Sequence, residues 1–191
     1  MWYATSLCHG LSKLMTQLIS RKTNMLNTHP QVEVRIDSQG WCNFSHSICQ
    51  TINDVVTTTL DLTETSSNVE VSILLTDDTF VSKLNKTWRG ADGPTNVLSF
   101  PSGTQHSASP KILGDVVFSL QTIQAEALSA DISELDHFKH LLVHGMLHLL
   151  GHNHKTPCEA KIMESAEVCI LATLGVSNPY NEYDRKAGST K

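Results

Sequence analysis

An α+β domain, with one small mixed four-stranded sheet packed by about five helices, is what the sequence predicts. Four short segments carry strand-like apolar patterning, and five longer ones carry helical periodicity. The two kinds alternate without a strict strand–helix–strand rhythm, which argues against a doubly wound parallel sheet. At 191 residues, with 40% hydrophobic and 17% charged content, the chain suits a single adequate core. No apolar run approaches the ~18 residues of a membrane span.

The first strand is expected at Val32–Ile36, where apolar and polar residues alternate. A helix over about Ser45–Leu60 follows, with Ile48, Ile52, Val55 and Val56 on its inner face. Val69, Val71, Ile73 and Leu75 alternate with Glu70, Ser72 and Leu74 as a second strand. Thr76 or Asp77 can then cap a helix carrying Phe80, Leu84 and Trp88. After a Gly/Asp/Pro turn, Asn96–Phe100 predicts a strand ending at Pro101, Ser102–Pro110 a polar loop, and Leu113–Ser119 a fourth strand. Helices are expected at about Leu120–Ala130, Ser133–Leu150 and Pro157–Leu174, the last closed by Gly175. Residues 32–180 form the expected domain, with 1–31 a poorly ordered extension and 181–191 a flexible tail. The extension is acid-poor, Ser-rich and amphipathic, as a transit peptide is, but has few arginines; a plain extension or an upstream start before Met25 fits it as well.

A formal charge of −5 excludes a protein coated in basic surface, so a nucleic-acid partner would need a local basic cleft or a metal ion to offset phosphate charge. Five scattered cysteines without a Cys-x-x-Cys pair suit a reducing, cytoplasmic setting.

Six of the ten histidines lie between His137 and His154. A lone helical histidine is ordinarily a solvated or satisfied residue. His144 and His148, however, stand at i and i+4, about 40° apart around a helix axis and about 6 Å along it, so they share a face. Gly151 can take a left-handed conformation, end the helix and return His154 toward the pair. Three neutral imidazoles with an open fourth position match a catalytic zinc site, whereas structural zinc takes four protein ligands. The spacing fits a His-Glu-x-x-His-x-x-Gly-x-x-His protease helix except that Gly145 replaces the glutamate base, so the proteolytic half is missing. His137 and His140 are expected to be outer or solvated groups. His152 competes with His154 as third ligand, Gly-x-x-His spacing favours His154, and Cys158 is expected as a partly buried residue opening the next helix. Arg89, at a helix end before a tight loop, either clamps a phosphodiester over the metal or interacts with the last carbonyls of its helix.

These residues together resemble the YbeY family of metal-dependent endoribonucleases. Its signature H-G-x-L-H-L-x-G-y-D-H matches His144, Gly145, Leu147, His148, Leu149, Gly151 and His154. Its L-N-x-x-x-R segment followed by P-T-[DN]-V-L-S-F-P matches Leu84, Asn85, Arg89 and Pro94 through Pro101. Leu113-Gly114-Asp115 and the closing Leu174-Gly175 with Asn178-Pro179-Tyr180 also fit, so the resemblance runs from about Val32 to Tyr180. It implies one zinc ion held by His144, His148 and His154, and Arg89 contacting the substrate. It also implies cleavage of single-stranded RNA in ribosomal RNA maturation, notably at the 3′ end of small-subunit ribosomal RNA, and in ribosome quality control. The expected partners are single-stranded and ribosomal RNA and the small ribosomal subunit, with no membrane, the chain acting as a monomer.

Two positions depart from the pattern: His152 replaces a tyrosine and Asn153 an aspartate. Asparagine can orient an imidazole but cannot take a catalytic proton. A non-catalytic, zinc-stabilised ribosome-assembly factor is therefore the rival expectation, and a metzincin-like protease the weaker one.

Overall fold

The computed structural model describes residues 29–45, 47–103 and 110–180. Expectations for the N-terminal extension before His29, for residues 104–109 of the polar loop and for the tail after Tyr180 lie outside the described residues.

Four strands form one sheet: β1 (Gln31–Ile36), β2 (Val69–Thr76), β3 (Val97–Pro101) and β4 (Lys111–Ser119). Their order is β1-β2-β4-β3, with β1, β2 and β4 parallel and β3 antiparallel to β4. Among the described residues the helices are α1 (Gly40–Phe44), α2 (Ile48–Leu62), α3 (Asp78–Arg89), α4 (Leu120–Ala130), α5 (Glu134–Leu149) and α6 (Pro157–Thr173). The mixed α+β architecture is as expected from the sequence; the additional helix is the single turn α1. Five residues are too few to show a helical period, but Trp41 on that turn is fully buried against Phe44 and Phe138. Its indole N–H donates to the Thr76 carbonyl at 2.8 Å, so the turn is held by tertiary contacts.

Alternation along β2 and β4 sorts the sheet into two faces. Val71, Ile73, Leu75, Val116 and Phe118 belong to the main core, which also takes Ile52, Val55 and Val56 of α2 and Leu142, Val143 and Met146 of α5. On the other face Val117 and Leu98 form a small second cluster with Val81 of α3. Helix α3 therefore lies across the sheet from α5. It buries Val81 and Asn85, whereas Phe80 and Trp88 are exposed, so only part of the expected apolar stripe packs inward.

Helix starts follow their caps. Asp77 accepts from the Phe80 N–H at 2.9 Å, and Thr156 and Glu159 form a reciprocal capping box before α6, with proline at its first position. Helix α2 begins at Ile48 and not Ser45; Ser45 instead accepts from the Ser47 N–H in a local turn. Among the described residues no helix is long and apolar enough to cross a membrane.

Candidate metal centre

Gly145 lets α5 lie against the sheet. A Cβ there would stand 2.9 Å from the Val116 Cγ1 and 3.1 Å from the Ser99 hydroxyl. A helical glycine costs about 1 kcal/mol in propensity, and close approach to β3 and β4 is what it permits here. The space a glutamate would need is filled by strands, so the missing protease base has a packing cause as well as a chemical consequence.

The helix then ends in a Schellman turn. Gly151 takes φ 97°, the Gly151 N–H donates to the His148 carbonyl at 3.0 Å and the His152 N–H to the Leu147 carbonyl at 2.9 Å. This turn brings His154 back, with its ring centroid 5.4 Å from that of His144 and 5.0 Å from that of His148. One ligand atom from each of His144, His148 and His154 lies within 4.8 Å of the others. His144 and His148 are half-buried and His154 is exposed, so the cluster faces solvent.

Hydrogen bonding assigns the two buried rings. The Nδ1 of His144 lies 2.8 Å from Glu167 Oε1, and the Nδ1 of His148 lies 3.0 Å from the His152 carbonyl. A carboxylate and a carbonyl can only accept, so both Nδ1 atoms carry protons and both Nε2 atoms are bare in the neutral rings. Those bare nitrogens face each other at 3.0 Å. Two lone pairs at that separation repel unless a cation or an added proton lies with them. Burial, first, then the charges of His144, His154 and Arg89 push His148 below the usual imidazole pKa, against the opposing hydrogen bond to His152, and disfavour the proton. A metal ion fits: Zn–N bonds of about 2.0–2.1 Å at tetrahedral angles put two nitrogens about 3.3 Å apart.

Glu167 is the residue that motif reading missed. It sits on α6 with 1% exposure, one oxygen on His144 and the other 3.1 Å from His140 Nε2, and the Tyr180 hydroxyl donates to that second oxygen. Burial raises its pKa, but the hydrogen bonds from His140, His144 and Tyr180 outweigh this and hold it at about 2. The Tyr180 hydroxyl is pushed above its ordinary pKa by burial and by the Glu167 carboxylate. A sequence cue existed: Met163, Ile170 and Leu171 are buried on one stripe of α6, and Glu167 lies in it.

The other expected residues fall into place around this cluster. His140 contacts Glu167, and His137 pairs with Glu126 at 2.7 Å. Cys158 lies outside the three-histidine cluster and is exposed, not partly buried as expected, because the first turn of α6 projects from the body. Asn153 donates to the Gly151 carbonyl at 3.2 Å, and the orienting bond to His148 comes instead from the backbone of His152. Arg89 ends α3, is exposed, and its charge reaches His148. Asn85, buried in the same helix, donates to the Gly93 carbonyl at 3.0 Å, and Lys86 pairs with Asp92 at 2.7 Å, so the following loop is tied back to the helix.

A mixed four-stranded sheet with an open three-histidine cluster at a helix end defines an α+β protein with residues that could hold one metal ion. The model of the family described as Endoribonuclease YbeY matches residues 31–175, so the chain belongs to that family. A relative from Methylocella silvestris named Endoribonuclease YbeY is 38% identical over 155 residues, covering 80% of this chain and 87% of its own. Relatives of the same name from Paramagnetospirillum magneticum and Rhizobium etli are 49% and 48% identical over 119 residues, 60% and 61% of this chain and 73% and 70% of theirs. Identity is thus higher over shorter spans, which concentrates the likeness in part of the chain.

Proposed function

We propose that residues 32–180 form a zinc-dependent, single-strand-specific endoribonuclease. His144, His148 and His154 are the ligands of one ion, and Arg89 is the catalytic residue that contacts the scissile phosphodiester. The observation that carries this is the pair of bare Nε2 atoms facing each other at 3.0 Å beside an exposed third imidazole. The name shared by the relatives supports RNA as the substrate.

A zinc ion held there supplies Lewis acidity and acidifies a water from a pKa of about 15.7 toward about 7. Glu167 and the His152 carbonyl keep the Nδ1 protons in place, so two lone pairs point into the site. Arg89 offers a planar guanidinium that can give two parallel hydrogen bonds to a phosphate and stabilise charge developing on it. Beside it Trp88 is 68% exposed, a face on which an unpaired base can stack; a base inside a duplex has no free face to offer. Position 145 holds no base for peptide hydrolysis, and the strands behind it leave no room for one.

The proposed substrate is ribosomal RNA, chiefly the 3′ end of small-subunit ribosomal RNA during maturation, with a second role in ribosome quality control and the small subunit as partner. The proposed setting is the cytoplasm, with the chain acting as a monomer. Cys42, Cys49, Cys158 and Cys169 are all unpaired and exposed, which supports a reducing compartment.

Metal analysis joined to cleavage of single-stranded and ribosomal RNA tests the proposal, comparing wild type with His148→Ala and Arg89→Ala. Bound zinc and cleavage in the wild type are expected, with neither in His148→Ala. Wild-type cleavage by a metal-free variant would overturn the mechanism. RNA bound but left uncut by the metal-loaded wild type would instead identify a non-catalytic assembly factor.

A further inference from the structure

A fully buried carboxylate needs partners, and Glu167 has three, on two different parts of the chain. His144 and His140 come from α5 at successive turns of one face, and Tyr180 comes from the segment after α6. That segment is steered by a second Schellman turn, in which the Gly175 N–H donates to the Ala172 carbonyl at 3.2 Å and the Val176 N–H to the Leu171 carbonyl at 2.9 Å. Val176 is buried, and the Tyr180 N–H donates to the Asn178 side chain at 2.9 Å, which turns the tyrosine ring inward against His140 with centroids 5.8 Å apart. One oxygen of Glu167 is therefore given to His144, and the other is closed off by His140 and Tyr180.

The chemistry of this division is specific. An imidazole bound to a metal through Nε2 must keep its proton on Nδ1, and its ring must not swing out of line. The Glu167–His144 bond at 2.8 Å meets both needs. His140 and Tyr180 prevent the carboxylate from rotating to share that oxygen. We propose that Glu167 is the positioning residue of the metal centre, presenting the Nε2 of His144 to the ion, and that Tyr180 latches Glu167 in that pose. The C-terminal segment is thereby part of the metal site, although it contributes no ligand. This inference rests on the proposed metal site.

The test uses the full chain as wild type, Glu167→Gln and Tyr180→Phe. Zinc affinity is measured by competition with a chromophoric chelator, the cobalt(II)-loaded visible spectrum is recorded, and the Nδ1-bound proton of His144 is followed by NMR in the metal-free protein. Loss of an outer carboxylate typically costs about 10- to 100-fold in metal affinity. Glu167→Gln should show such a loss, an altered cobalt spectrum and loss of the downfield His144 proton resonance, while the metal-free chain stays folded by circular dichroism. Tyr180→Phe should lower affinity by a smaller factor of the same sign, and it decides the matter if Glu167→Gln does not fold. A zinc affinity within twofold of wild type in the folded variants would overturn the inference. Wild type that binds neither zinc nor cobalt would overturn the metal site itself, a separate outcome.

Discussion

At the C-terminal end of α5, His144 gives a ring proton to Glu167 of another helix and His148 one to the His152 carbonyl of the local turn, and the helix packs on a glycine that admits two strands. At the C-terminal end of α3, across the sheet, Arg89 and Trp88 are exposed, with Phe100 ring to ring with Trp88 at 5.9 Å. Both ends carry site residues, and they differ in how much is decided before a ligand arrives. An ion a few ångströms across needs lone pairs fixed in direction. A flexible polyanion needs charge and stacking surface that it can reach. Under the proposed function, the centre is rigid where the chemistry would occur and open where an RNA strand would be gripped.

Removing a ligand tests that contrast most severely. His148→Ala should retain no zinc and cleave no RNA, measured by metal analysis and a gel assay. Cleavage that survives would erase the distinction between the two ends. Arg89→Ala should keep its zinc and lose cleavage by about 100- to 1,000-fold, the usual effect of removing one group that stabilises transition-state charge. Zinc lost together with activity would mean that the two ends are one unit. Trp88→Ala should act on binding: a lost stacked base costs roughly 1–3 kcal/mol, seen as a raised KM with kcat little changed. A fall in kcat at constant KM would move Trp88 into the rigid half.

Acid gives the smallest effect, absent at neutral pH. Glu167 titrates at about 2 in the folded chain against 4.5 for the ordinary group. The unfolded chain therefore binds more protons between those values, and the stabilisation from Glu167 is complete above pH 4.5 and lost as pH falls toward about 2. Chemical denaturation of the metal-free chain across that range should show stability declining in the wild type and a shallower decline in Glu167→Gln.

Local pattern was enough to gather the three histidines, because i, i+4 and Gly-x-x-His spacing translate directly into one helix face and one turn. The same holds for β2, whose period-two alternation survives in its buried residues. The Asp77 and Thr156 caps also follow local rules. Three things did not. The turn α1 is held by Trp41 reaching a carbonyl 35 residues away. The role given to position 153 passes to a backbone carbonyl of His152, which no side-chain pattern reports. And α3 buries Val81 against Leu98 and Val117, while Phe80 and Trp88 stay exposed and line an open groove with Leu74 and Phe100.

By itself, then, the sequence determined the α+β class, the three histidines that the fold gathers and the family, since each is written in spacings of a few residues. Tertiary structure alone decided that Glu167, 23 residues from His144, accepts from the Nδ1 of that imidazole, and that Tyr180 hydrogen-bonds the same carboxylate. It also brought the charge of Arg89 to His148 from a helix on the opposite face of the sheet. The physical reason is one of range. Periodicity and capping act within a few turns, whereas a buried carboxylate, a bare imidazole nitrogen and a distant guanidinium meet only when the helices have packed.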